Sequence, residues 1–370
     1  MYEVTERDET AECESSVSVR RAIAEALAVA AQVDLSWITP PPTNDGWTLA
    51  PDACRFITSL VSKLNPRHIL EFGSGLSTRV LARACASLPH SSFLSSLDHD
   101  PEFGGAAAQQ YFAQAEPRCH VRMQIAPIVS RDHGGKTLPS YLIQPEHFAT
   151  QEPVDLVIVD GPPAMLGGRE ATLYQVMDFA RPGTLVLLDD AMRKAEQSAL
   201  AHWQDNYGHK IEVLQLDGFV RGLAAVIVFQ PVCSTELWTH RLRLTRREMQ
   251  RLIRPEDVCI IVGNDWWREE LGDQFKKLPF FEHQGQYWGP PADDTTAIRD
   301  LNRLRRDGAR FLVFGWPTFW WLEHYQDLNK HLQTNFNKVA DNDRLIVFDL
   351  SEKAAADGRA IDRVDAGGKI

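Results

Sequence analysis

The stretch HILEFGSGLSTRVLA, residues 68–82, joins a short apolar run to a glycine turn and then to a segment of helical period. A strand that passes through G-S-G-L-S directly into a helix gathers backbone N–H groups and a helix N-terminus around a ligand at the strand's carboxyl end. Gly73 and Gly75 let the backbone approach that ligand closely, with Ser74 and Ser77 beside them as further candidate contacts. The last glycine of G-x-G-x-x-G is replaced by Thr78 and no G-K-[ST] follows, so the turn departs from both pyrophosphate fingerprints. Glu71, at the end of the strand, would welcome a cationic group where a phosphate would be repelled. Asp98 ends the next apolar run, a position suited to accepting hydrogen bonds from both ribose hydroxyls. The two acids point to a nucleoside with an amino-acid or sulfonium end.

Outward from this turn, apolar runs alternate with stretches of helical period, the pattern of a parallel sheet with crossover helices. The runs are HILEFG (68–73), SFLSSLD (92–98), VRMQIA (121–126), VDLVIVD (154–160), GTLVLLDD (183–190), KIEVLQL (210–216) and LAAVIVFQ (223–230). Helices are expected at TRVLARACASL and EATLYQVMDFA, and the glycines of DGFVRG suit a hairpin-like reversal between the last two runs. The fold class is α/β: a Rossmann-like sheet of seven strands, mostly parallel with the last antiparallel, followed by a second, smaller α/β domain.

The residues resemble class I S-adenosylmethionine-dependent methyltransferases. The resemblance rests on E-F-G-S-G-L-S-T, S-L-D-H-D-P-E, D-L-V-I-V-D-G-P-P and R-P-G-T-L-V-L-L-D-D in that order, with GWTLAPDACRFITSLV as a lead-in helix of a small-molecule branch. It covers residues 40–230. It implies that Glu71, Gly73 and Gly75 line the methionine end, that Asp98 binds the ribose, and that Ala126 with Pro127 borders the adenine. Asp160 would sit beside the transferring methyl group as the catalytic and cofactor-contacting acid. The loop after the third run, SRDHGGKTLP, offers Ser130 and Asp132 as polar adenine contacts without a clear match to the family.

Asp160, Asp189 and Asp190 fall at the ends of adjacent strands, so three carboxylates would converge at the carboxyl edge of the sheet. Oxygen-only ligands of this kind suit Mg2+, which would polarise an acceptor hydroxyl. The pattern is similar to metal-dependent O-methyltransferases of the catechol and sugar types, although D-G-P-P-A-M-L-G-G-R supplies neither a Lys nor a second Asp as a base. The competing reading has Asp189 and Asp190 capping the next helix and Asp160 ordering the prolyl turn. His99, His133 and Lys194 are other general-base candidates, none fixed by spacing.

After Pro231, THRLRLTRREMQRLIRPED reads as a linker helix over 233–255, with Arg241, Arg243, Arg246, Arg247 and Arg251 on a solvated face. It separates a methyltransferase-like domain (17–232) from an accessory domain (256–351), in which DVCIIVGN, ARFLVFGW and DRLIVFDL are three further apolar runs. Seven of the ten tryptophans lie beyond residue 231, as core, interface or stacking platform. G-Q-Y-W-G-P-P-A-D-D-T-T-A-I and G-A-R-F-L-V-F-G-W-P-T-F-W-W-L-E-H-Y resemble an accessory domain found with bacterial glycosyltransferases and methyltransferases of surface-polysaccharide assembly. That likeness implies a saccharide or glycan-precursor acceptor.

Polar tails are expected over 1–16 and 352–370. Thirty-nine basic against fifty acidic residues give a net charge of −11, which repels a phosphate backbone, so nucleic acid is not an expected partner. Cys13, Cys54, Cys85, Cys119, Cys233 and Cys259 form no C-x-x-C pair, which suits a reducing cytoplasm. The acidic N-terminus carries no secretory pattern, and no apolar run reaches the roughly 18 residues of a membrane span. A homo-oligomer or an association with glycan-assembly enzymes stays open. So do two other readings: a non-catalytic scaffold that binds a glycan or a partner enzyme, and an NAD-dependent oxidoreductase.

Overall fold

The computed structural model describes residues 14–39, 41–44, 48–105 and 118–351. The expected tails lie outside these residues, apart from 14–16, which already belong to the first helix. The chain divides into two compact units between Leu244 and Thr245. That point lies inside the helix Ser234–Leu252, within the segment read as a linker.

In the first unit the strands are β1 (His68–Phe72), β2 (Ser92–Asp98), β3 (Cys119–Ile125), β4 (Ile128–Asp132), β5 (Thr137–Tyr141), β6 (Val154–Val159), β7 (Ala180–Asp189), β8 (Ile211–Leu216) and β9 (Leu223–Val228). Seven of them form one sheet in the order β3-β2-β1-β6-β7-β9-β8. These are the seven apolar runs of the sequence, and β9 runs antiparallel to both β7 and β8.

Alternation along each strand supplies two buried faces. Ile69, Leu156, Ile158, Leu185, Leu187 and Ile227 pack with the helices α1 (Glu14–Val29), α2 (Pro51–Leu64) and α3 (Leu76–Ala86). Leu70, Phe72, Val157, Val159, Val186 and Leu188 pack on the other side with the helices Ala171–Val176 and Lys194–Tyr207. Each such side chain contributes about 1.5–3 kcal/mol on burial, which is why the central strands read as continuous apolar runs. Glu71 shares the Ile69 side of β1 and so lies under α3.

The segment SRDHGGKTLP, read as a loop, instead lies within the antiparallel hairpin β4–β5. Its strands are only partly buried and interrupted by charge and Pro139, so they lack the apolar alternation by which a strand announces itself.

The second unit is a five-stranded sheet built from β10 (Val258–Val262), β11 (Lys276–Phe280), β14 (Ala309–Gly315), β15 (Asn337–Asp341) and β16 (Leu345–Asp349), in the order β11-β10-β14-β16-β15. The two-residue strands β12 (Glu282–His283) and β13 (Gln286–Tyr287) form a separate small hairpin. Three of the five strands match the apolar runs. The two additional ones, β11 (KKLPF) and β15 (NKVAD), are the sheet edges, where lysines and a proline are tolerated and hide the strand signal.

The tryptophans divide between roles. Trp267, Trp316 and Trp321 are buried, whereas Trp266, Trp288 and Trp320 are exposed. The Trp267 ring lies across Gly315 so closely that an added Cβ would meet its Cζ2 atom at 2.0 Å. The basic helix is not uniformly solvated. Arg241 is buried and donates to the Gly134 carbonyl at 2.9 Å, while Arg243, Arg247 and Arg251 are exposed. Among the described residues, no helix is long and apolar enough to cross a membrane.

Candidate active site

The β1–α3 turn is held by side chains that the strand register brings together. Glu71 of β1 pairs with Ser96 of β2, and the Ser96 hydroxyl donates to Glu71 Oε2 at 2.5 Å. From α3, Thr78 Oγ1 donates to the same oxygen at 2.6 Å and accepts the Gly75 N–H at 3.0 Å. Glu71 Oε1 is buried and has no hydrogen-bond partner among the described residues. Burial lifts the Glu71 carboxyl to about 7, against the pull of the Ser77, Ser96 and Thr78 hydroxyls, and Asp98 adds to the lift.

Gly73 adopts φ +95°, and a Cβ there would stand 3.0 Å from the Gly161 nitrogen, so the turn after β1 presses against the loop after β6. Asp98 Oδ2 accepts the Ser74 N–H at 2.9 Å and Oδ1 accepts the Asp100 N–H at 2.8 Å, which ties the end of β2 to the glycine turn. Burial raises the Asp98 pKa while these N–H groups oppose it. Ser74 and Ser77 are buried beside the turn. Ala126, just past β3, is buried, and its N–H donates to the Asp98 carbonyl at 2.7 Å.

The alternative candidates lie in less suggestive places. Ser130 and Asp132 are exposed on the β4–β5 hairpin, where Asp132 accepts the Gly135 N–H at 3.0 Å. His133 is buried, bonded to Ser140 at 2.8 Å and stacked on Tyr174, an arrangement of a packed core histidine. Lys194 is exposed at the start of its helix, and His99 lies 3.5 Å from Asp98 Oδ1.

Across the crevice, Asp160, Asp189 and Asp190 come together with carboxylate oxygens within 4.8 Å of one another. Neither Asp189 nor Asp190 caps the next helix, whose N-cap position is held by Arg193 without a side-chain bond. Guanidinium groups engage the acids instead, chiefly those of Arg169 and Arg221. Arg169, from the loop after β6, reaches Asp160 Oδ1 at 3.1 Å and Asp190 Oδ2 at 2.9 Å, and donates to the Asp189 carbonyl at 2.7 Å. Arg221, from the β8–β9 hairpin, reaches Asp189 Oδ2 at 2.9 Å and donates to the Thr48 carbonyl at 2.9 Å. It also stands 3.2 Å from Asp190 Oδ1, a charge contact without hydrogen-bond alignment.

Burial pushes the Asp160 carboxyl well above its ordinary range, against Arg169, while Asp189 and Asp190 add to the rise. Asp189 is raised by burial and by Asp190, against Arg221 and Arg169. Burial opposes the charge of Arg169, but Asp160, Asp190, Asp189 and Glu196 outweigh it and hold its pKa above the usual value.

Reading the sequence missed Ser96, Arg169, Arg221 and Glu196. Ser96 was reachable from strand register, since it lies opposite Glu71. The two arginines carried no spacing signal, because they stand in separate loops on either side of β7.

The profile of a family described as "Methyltransferase domain" matches residues 70–191, which span the glycine turn, Asp98, Asp160 and the Asp189–Asp190 pair. The matched segment lies within the first unit. Among solved structures, a methyltransferase of Podospora anserina bound to SAH is 14% identical, with 56% of this chain and 87% of that chain covered and a TM-score of 0.37. TomG of Streptomyces achromogenes, an O-methyltransferase in complex with SAM, is 21% identical over 58% of this chain and 96% of that one, with a TM-score of 0.36. An O-methyltransferase of Thermotoga maritima is 16% identical over 49% and 66%, with a TM-score of 0.32. Among curated proteins none matches this chain.

Proposed function

We propose that the first unit is an S-adenosylmethionine-dependent methyltransferase acting on an oxygen of a small molecule, with a sugar or glycan-precursor hydroxyl as the acceptor. The observation that carries this reading is the joined set of Glu71, Gly73, Gly75 and Asp98 at the carboxyl edge, within the segment that matches the methyltransferase profile. The residues suit the cofactor on two counts. Gly75 leaves room beside the turn, where an added Cβ would meet nothing nearer among the described residues than the Phe103 ring at 3.8 Å, and Glu71 Oε1 is a buried acceptor without a hydrogen-bond donor among the described residues. Glu71, Gly73, Ser74, Gly75 and Ser77 would hold the methionine end, Asp98 the ribose, and Ala126 the edge of the base.

When bound, S-adenosylmethionine supplies a methyl group already activated by the sulfonium charge. The chain's task is then to orient the acceptor oxygen and to take up its proton. Asp160 carries that role in this reading, because it borders the turn through Gly161 and burial raises its pKa, which strengthens its carboxylate as a base. The saccharide acceptor is supported by the likeness of the second unit to polysaccharide-associated accessory domains. The cysteine pattern, without a C-x-x-C pair, supports a cytoplasmic setting as part of this reading.

Isothermal titration with S-adenosylhomocysteine tests the cofactor assignment. Binding in the micromolar range is expected, and no heat at high micromolar ligand would leave the scaffold reading in its place. Methyl transfer to a panel of saccharides, followed by mass gain, tests the acceptor.

A further inference from the structure

The acid trio poses a question that the cofactor assignment does not answer: what balances three adjoining carboxylates, two of them buried and Asp160 half-buried. Mg2+ would need several oxygen lone pairs at about 2.0–2.1 Å in near-octahedral geometry. Here four of the six carboxylate oxygens already face guanidinium groups: Asp160 Oδ1 and Asp190 Oδ2 face Arg169, and Asp189 Oδ2 and Asp190 Oδ1 face Arg221. Arg193 adds a more exposed contact to Asp190 Oδ2 at 2.8 Å. Both main partners are sheltered, with Arg169 only 5% and Arg221 only 16% exposed, so neither is a surface side chain free to swing away. A guanidinium does not lose its proton in a protein, so its charge is permanent. A divalent cation entering the cluster would have to displace these contacts and stand beside two like charges. The residues present therefore do not fit a metal.

We propose that Arg169 and Arg221 act as a built-in cation that takes the place of a divalent metal among Asp160, Asp189 and Asp190, with Arg169 as the positioning residue that orients Asp160. Resting on the methyltransferase reading, a consequence follows for the substrate class. An acceptor without a metal to chelate it needs one hydroxyl placed at Asp160, not the adjacent hydroxyl pair that a metal-dependent site grips. Glu196, whose Oε1 stands 3.8 Å from Arg169 Nε, completes the acidic surround that keeps the guanidinium in place.

Mn2+ titration of the full chain, followed by the electron paramagnetic resonance signal of free Mn2+, tests the proposal without cofactor or turnover. The wild-type chain is expected to show no site tighter than millimolar. R169M removes one fixed charge from the trio and is expected to bind Mn2+ at least about ten-fold more tightly, with the gain lost in D160N/R169M. A sub-millimolar wild-type site that Mg2+ competes for would overturn the proposal, and so would a folded R169M that binds no better than wild type. Should R169M not fold, R221M provides the same comparison, and the wild-type titration is decisive by itself. Loss of the cofactor assignment would show as absent S-adenosylhomocysteine binding and would leave the Mn2+ result standing. With a vicinal diol acceptor, one of the two mono-deoxy analogues should still be methylated; loss of transfer to both would overturn the single-hydroxyl consequence.

Discussion

Thr78 Oγ1 donates to Glu71 Oε2 at 2.6 Å while it accepts the Gly75 N–H at 3.0 Å. The position where a dinucleotide fingerprint carries glycine thus holds a hydroxyl that links the strand-end acid to the turn. T78S keeps both bonds and is expected to stay within about 1 kcal/mol of wild type, whereas T78V removes one of the two donors to Glu71 Oε2, leaves the Gly75 N–H without this acceptor, and should cost about 1–3 kcal/mol. Urea denaturation checks this order. T78G, which restores the glycine pattern, should be no better than T78V.

Glu71 gives stability a pH dependence. Its folded pKa of about 7 lies above the ordinary 4.5, so between these values the native state holds a proton that the unfolded chain has released. The contribution is fully present below 4.5 and is lost as pH rises through 7. At about 1.4 kcal/mol per pKa unit it reaches about 3 kcal/mol. Asp98, Asp160 and Asp189 are raised too and act in the same direction. E71Q should flatten this part of the profile and be more stable than wild type at pH 8, as read by denaturation across pH. Equal slopes for both proteins would remove Glu71 as the source.

Gly73 has positive φ with backbone of the neighbouring loop at 3.0 Å, and neither can yield. G73A should cost about 1–3 kcal/mol in strain and weaken S-adenosylhomocysteine binding by an order of magnitude or more. G105A is the control, since no described residue lies within 4 Å of a Cβ there, and it should leave both measurements near wild type.

Arg221 and Asp189 form a sheltered pair at 2.9 Å. R221M strands an uncompensated carboxylate and should cost about 3 kcal/mol or more. D189N/R221M should recover part of that loss, with a coupling of about 1–3 kcal/mol in the double-mutant cycle. Additive losses would show that the two side chains contribute separately.

In the second unit Gly315 lies beneath Trp267, with room for no Cβ. Its φ of −88° is open to any residue, so the constraint is purely one of volume. G315A should lower the stability of this unit by about 1–3 kcal/mol through overpacking, and W267L should restore part of it. Thermal unfolding of the single and double variants reads both effects.

Much of the first unit was legible because its central strands β1, β6 and β9 are buried along their whole length and are largely apolar. The edge strands β11 and β15 and the hairpin β4–β5 were not, because strands open to solvent on one side tolerate lysine, proline and charge. Glu71, Asp98 and Asp160 could be singled out because each stands at a strand end that the sequence marks. Arg241 misled for the opposite reason. A basic run reads as a solvated face, yet one of its members turns inward to the Gly134 carbonyl.

The sequence alone determined the strand–turn–helix at residues 68–82, the alternation that buries both sheet faces, and the acids at the strand ends, since all of these are encoded by local order and periodicity. Only the tertiary structure decided what those acids face. The order β6-β7-β9 brings the loop after β6, the end of β7 and the start of β9 to one edge, where Asp189 registers with Leu223 and Arg169 and Arg221 reach the same carboxylates. Charge pairing between distant loops depends on strand order and direction, which no spacing within a single segment records.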